Sequence, residues 1–138
     1  MNRRELCSMM PLLALATAVA EESKVLSSAA FPFADLQANP GKGHTTRPIT
    51  KGKTPTGENV EVHETTLDPG QMPHPPHRHV HSEFWLIREG TVEITINGES
   101  HRIGPGSAAF AASNDLHGIK NVGDQSAQYF VVEIGIRS

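Results

Sequence analysis

The stretch HPPHRHVHSEFW, residues 74–85, places His74, His77, His79 and His81 close together, and Glu83 follows two residues after the last. Alternate residues of a strand share a face. His77, His79, His81 and Glu83 would therefore point the same way. Two readings follow. A solvated row of three imidazoles and a carboxylate needs no further account. Turned inward, the same groups would be costly to desolvate without partners. A divalent cation removes that cost, because neutral imidazole and carboxylate are good ligands for first-row metals.

The surrounding elements read as β structure. From about His44 onward no helical period lasts beyond two turns, and turn residues recur at the spacing of an all-β domain. Val60 and Val62 alternate with Asn59, Glu61 and His63, which predicts a half-buried strand with the valines inward and His63 solvated. Asp68-Pro69-Gly70 marks a turn. Residues 83–89 form the next strand, closed by Gly90. Val92, Ile94 and Ile96 share one face of another strand. Asn97-Gly98 then predicts a type I′ hairpin, which needs positive φ at both central residues. Residues 99–103, 107–112, 116–120 and 127–136 complete the set. About eight short antiparallel strands imply a sandwich or small barrel, and a barrel removes exposed sheet edges.

The order of residues narrows the choice. Gly70-x6-His77-x-His79-x3-Glu83-x6-Gly90 resembles the first metal-binding motif of the cupin superfamily. Gly106-x5-Ala112-x-Asn114-x2-His117-x3-Asn121 is similar to its second motif, and the Asn-Gly hairpin lies between them. The resemblance covers about residues 60–136. It implies a small single-domain protein, an antiparallel β-barrel of jelly-roll type. It also implies a metal held by His77, His79, Glu83 and His117. The sequence departs from the motifs in four places. One extra residue precedes His77, Ala112 stands for proline, Asn114 for glycine, and Ser107 for aspartate. None removes a ligand, and asparagine tolerates the left-handed region at position 114.

The other singled-out residues have plainer readings. His81 is the rival ligand or a proton relay, and otherwise a rim residue. His74 sits between prolines in a loop, and His44 and His101 have no partner in sequence. Asn121 is expected to be a structural hydrogen bonder, and Glu93 and Tyr129 to be surface or rim, with a place facing the pocket as the alternative. Trp85 and Ile87 share parity with Glu83 and are expected to wall the pocket, with Phe110 adding to it.

Composition excludes several classes. The 138 residues carry a formal charge of −3, which disfavours nucleic-acid and anionic-membrane binding. One tryptophan and one tyrosine are too few for a base-stacking platform. Residues 1–20 read as a signal peptide. Arg3 and Arg4 precede an apolar run too short to span a bilayer, and Ala18-Val19-Ala20 offers a cleavage site. The arginine pair is similar to a twin-arginine signal. The expected mature protein is therefore exported by a bacterium to the periplasm or exterior, with no membrane span. It would carry no thiol, because Cys7 leaves with the signal. Residues 21–43 read as an extended arm, positioned to cross a neighbour's barrel in a homodimer, and 44–138 as the barrel.

Three nitrogens and one oxygen leave about two open positions on an octahedral ion. The expected cofactor is one divalent transition metal per chain. Fe or Mn is favoured if the protein is loaded in the cytoplasm before export, with Ni, Cu or Zn as alternatives. The expected partner is a small organic ligand or substrate at the barrel mouth. Two functions follow: a metal-dependent, dioxygenase-like oxidoreductase, or a non-catalytic protein that binds metal or a small ligand. A metal-free structural barrel is the third alternative.

Overall fold

The computed structural model describes residues 24–136. The predicted signal segment lies outside the described residues. Nine strands follow one turn of 3-10 helix at Phe33–Asp35. They are β1 (Asn39–Pro40), β2 (His44–Lys53), β3 (Asn59–Leu67), β4 (Ser82–Glu89) and β5 (Val92–Ile96), then β6 (Glu99–Ile103), β7 (Ala108–Ala111), β8 (His117–Asn121) and β9 (Ala127–Gly135).

They form a six-stranded sheet, in the order β1-β2-β3-β9-β4-β7, and a three-stranded sheet, in the order β6-β5-β8. Every strand pairing is antiparallel. This is the all-β jelly roll expected from the sequence. The core joins both sheets. Leu67, Trp85, Ile87, Ala111, Ala127, Tyr129 and Val131 come from the larger sheet, and Val92, Ile94 and Ile119 from the smaller. Burying these side chains from both inner faces is what holds the two layers together.

The β5–β6 hairpin has the predicted geometry. Asn97 and Gly98 have φ of 49° and 82°, and Ile96 pairs with Glu99 across them. Asn97 also fastens the second motif. Its backbone N–H donates to the Leu116 carbonyl, and its side-chain oxygen accepts from the Leu116 N–H.

The face assignment of β3 differs from the sequence expectation. His63 and Thr65 face the interior cavity and Leu67 the core, whereas Val60 and Val62 lie on the other face. The inner face of this strand is partly polar, so apolar alternation picks the wrong side. The segment 24–43 lies against its own barrel. Val25 bridges Lys53, and the Leu26 N–H donates to the Lys53 carbonyl at 2.8 Å. The Phe33 ring lies under the guanidinium of Arg47, 5.0 Å away.

Candidate metal centre

Two separate segments meet at the site. The backbones of His77 and His117 exchange a pair of hydrogen bonds, each 3.0 Å long. The Asn114 N–H donates to the His79 carbonyl at 2.8 Å, and Arg78 donates to the Asn114 carbonyl at 2.8 Å. Asn114 takes the left-handed conformation, with φ of 65°, as its place in the motif suggested. Gly118 leaves room for this approach. A Cβ there would sit 3.1 Å from the Pro76 ring.

These clips bring three imidazoles together in T-shaped, edge-to-face pairs. Ring centroids lie 4.9 Å apart for His77 and His79, 5.0 Å for His77 and His117, and 4.5 Å for His79 and His117. Glu83 enters from β4. Its Oε2 lies 2.9 Å from Nε2 of His79 and 3.5 Å from Nε2 of His117. One ligand atom from each of the four residues falls within 4.8 Å of all the others. Bonds of about 2.1 Å to a single ion would need only small side-chain shifts. His77 is the most exposed of the four, and Glu83 and His117 are buried.

The hydrogen bonds on the far side of two rings fix what faces inward. Nδ1 of His79 lies 2.8 Å from the His81 carbonyl, and Nδ1 of His117 lies 2.8 Å from the Asp115 carbonyl. A carbonyl only accepts, so Nδ1 carries the proton in each ring. In the neutral form, rings held this way aim their Nε2 lone pairs at a carboxylate oxygen, as metal ligands must. Nε2 of His117 is buried and has no hydrogen-bond partner. Lone pairs and a carboxylate converging on one point require a cation or a proton between them. This donor set fits a first-row divalent metal.

The electrostatics carry the same signature. Burial, and then the facing carboxylate of Glu133, push the Glu83 carboxyl up to about 7. Burial, and then the neighbouring imidazoles of His74, His117 and His79, push His77 down to about 4. Burial also lowers His117. Each group resists the charge it would carry alone, as expected of a site that a metal completes.

His81 stacks on His79, with centroids 3.7 Å apart at 14°, and its Nε2 lies 3.3 Å from Glu133 Oε1. His79, His81, Glu83 and Glu133 form a second group with ligand atoms within 4.8 Å of one another. The two groups share His79 and Glu83. Trp85 lies edge-on to His117 at 5.4 Å and lines the cavity. Ile87 sits in the core and is not part of the cavity wall.

Phe110 departs from expectation. It is 46% exposed and packs on Phe84 at 4.6 Å on the outer face. Strand alternation turns Ala109 and Ala111 inward instead. His74 stacks on His77 at 4.0 Å. His44, His63 and His74 line a cavity of about 200 Å³ with His77, Glu83 and His117. Tyr129, expected at the surface or rim, is 1% exposed and lines the same cavity. It shares parity with Ala127 and Val131 of β9, both buried, and that apolar flanking pair was the available signal. Asn121 is the structural bonder expected. It donates to the carbonyls of Leu67 and Gln125, each at 2.8 Å, and its oxygen accepts from the Gly123 N–H at 3.0 Å.

Known proteins share this fold. KdgF from Halomonas sp. superposes with a TM-score of 0.66 at 18% identity, over 78% of this chain and 94% of that one. A predicted oxalate decarboxylase from Thermotoga maritima gives 0.63 at 18%, over 77% and 98%. The polyketide cyclase RemF from Streptomyces resistomycificus gives 0.63 at 22%, over 78% and 80%. Mannose-1-phosphate guanylyltransferase ManC of Salmonella typhimurium is 30% identical over 67 residues, 49% of this chain. The matched stretch is 14% of that enzyme's length. Residues 63–133 match the family model Cupin_2, described as a cupin domain, and the chain belongs to that family.

Proposed function

We propose that this chain is an exported metal-binding cupin that acts as a metal-dependent oxidoreductase on a small organic molecule. His77, His79, Glu83 and His117 would hold one divalent transition ion. The observation that carries this reading is the inward aim of the Nε2 atoms of His79 and His117, with Nδ1 tied to carbonyls and Glu83 facing them. The ion would supply Lewis acidity and, as Fe or Mn, electron exchange with dioxygen. The chain's own residues would orient the ion, shield it with Trp85 and admit a ligand beside His44, His63 and His74.

Iron or manganese is favoured because a twin-arginine export signal implies loading in the cytoplasm, and the arginine pair near the N-terminus supports that route. Export places the mature protein in the periplasm or outside the cell. Pairing into a homodimer is supported by the outer face of β4 and β7, where Phe84, Leu86 and Phe110 are 39%, 44% and 46% exposed.

Oxygen uptake on a panel of catechols and flavonols, with iron- or manganese-loaded protein, tests the reading. Turnover that disappears in His79→Ala supports catalysis. Tight metal binding without turnover across the panel would replace it with a storage or sensing role.

A further inference from the structure

His81 and Glu133 stand beside the metal centre without being part of its ligand set. The His81 ring stacks on His79, with centroids 3.7 Å apart at 14°. Its Nε2 is buried and makes no hydrogen bond among the described residues. Glu133 Oε1 lies 3.3 Å from that nitrogen. An ion pair between a protonated His81 and Glu133 is the plain account of this distance. Two features go beyond it. The ring does not aim Nε2 along a hydrogen bond to the oxygen. Glu133 is also paired directly opposite Glu83 across β4–β9, so two carboxylates share one place with two imidazoles. Like charges that close repel unless a cation lies between them.

The spacing suits such a cation. One ligand atom from each of His79, His81, Glu83 and Glu133 lies within 4.8 Å of all the others, the same spread as in the first group. Bonds of about 2.1 Å to a single ion would again need only small side-chain shifts. Two neutral imidazoles and two carboxylates suit a first-row divalent ion, and the two negative charges match its two positive ones.

The shared residues decide how the two groups relate. Nδ1 of His79 is committed to the His81 carbonyl at 2.8 Å, so Nε2 is that ring's one free nitrogen. One lone pair holds one ion. The two groups therefore exclude one another, and each chain holds a single ion. The first group is the better prepared. His117 is set by its bond to the Asp115 carbonyl, whereas the His81 ring has no such bond among the described residues. A ligand ring oriented in that way binds more tightly.

We propose that His81 and Glu133 complete, with His79 and Glu83, a second position for the divalent ion, weaker than the first and taken when His77 or His117 no longer holds it. Glu83 and Glu133 both line the cavity, so the ion borders the same space from either position. This rests on the metal reading above.

The test is cobalt(II) affinity, measured by chelator competition, in two backgrounds: wild type and His77→Ala. His77 is the most exposed ligand of the first group, and its loss leaves the second group whole. His77→Ala should still bind one cobalt per chain. Two changes are then made in each background. Glu133→Gln removes a carboxylate of the second position. His81→Phe keeps a ring against His79 and removes Nε2. Each should weaken cobalt binding at least about tenfold more in His77→Ala than in wild type. The lost charge of Glu133 acts through space on both backgrounds alike, so equal losses in the two would overturn the inference. No loss in either would overturn it too and leave His81 and Glu133 a plain ion pair. So would a His77→Ala protein that binds no cobalt. In these three cases wild type still binds cobalt, and the metal reading stands. Wild type that binds no cobalt would remove both.

Discussion

Two glutamates are buried in this barrel, on opposite faces of the same sheet, and they differ in what they meet. Glu64 is 0% exposed, and Arg47 donates to its Oε2 at 2.9 Å while the Thr66 hydroxyl donates to its Oε1 at 3.1 Å. Glu83 is 6% exposed and faces imidazole nitrogens and the carboxylate of Glu133. The first is a charge already paired and hydrogen-bonded. The second meets imidazole nitrogens and another carboxylate, a set that a bound cation would balance. Burial of a carboxylate therefore does not mark a site; the chemistry of its neighbours does.

Removing one partner from the satisfied pair should have the largest effect. Arg47→Ala strands the Glu64 carboxylate and should cost about 3 kcal/mol in denaturant unfolding, with metal content per chain unchanged. Glu83→Gln should behave in the opposite way. Metal affinity, measured by chelator competition, should fall at least about a hundredfold, or ~2.7 kcal/mol. The metal-free variant should be no less stable than wild type at neutral pH. Equal destabilisation by both changes would erase the contrast. Asn121→Ala belongs with Glu64. It leaves the Leu67 carbonyl and the Gly123 N–H unpaired and should cost about 2 kcal/mol.

The smallest effect sharpens the contrast through pH. Glu83 rises from 4.5 to about 7 on folding, so it binds its proton more tightly in the folded state. Its contribution to metal-free stability is full below 4.5 and is lost as pH rises through about 7. His77 falls from 6.5 to about 4, so its contribution is full above 6.5 and is lost as pH falls through about 4. The melting point of wild type relative to Glu83→Gln should therefore decline between pH 4.5 and 7. Metal binding must displace the Glu83 proton, so in that window wild-type affinity should rise with pH. The slope should be steeper than that of Glu83→Gln by about one proton, or tenfold per pH unit.

Much of the site was legible because its residues lie in two short motifs. The resemblance of those motifs to the cupin pattern implied His77, His79, Glu83 and His117, and Asn97-Gly98 fixed the hairpin between them. The cavity around them was harder to read. His63, Thr65 and Tyr129 turn inward on β3 and β9, where apolar alternation expects only hydrophobic residues. A polar cavity inverts that rule. Phe110 shows the reverse error, an aromatic ring that strand alternation turns outward onto Phe84. Glu133 became visible only when β9 was paired beside β4, placing it directly opposite Glu83. No local pattern encodes that neighbour.

Anomalous diffraction from crystals of tag-free protein grown with its native metal tests the central claim most directly. One peak per chain is predicted, bonded at about 2.0–2.2 Å by imidazole nitrogens of His77, His79 and His117 and by the Glu83 carboxylate. An ion held instead by His79, His81, Glu83 and Glu133, or no peak within reach of His117, would contradict it.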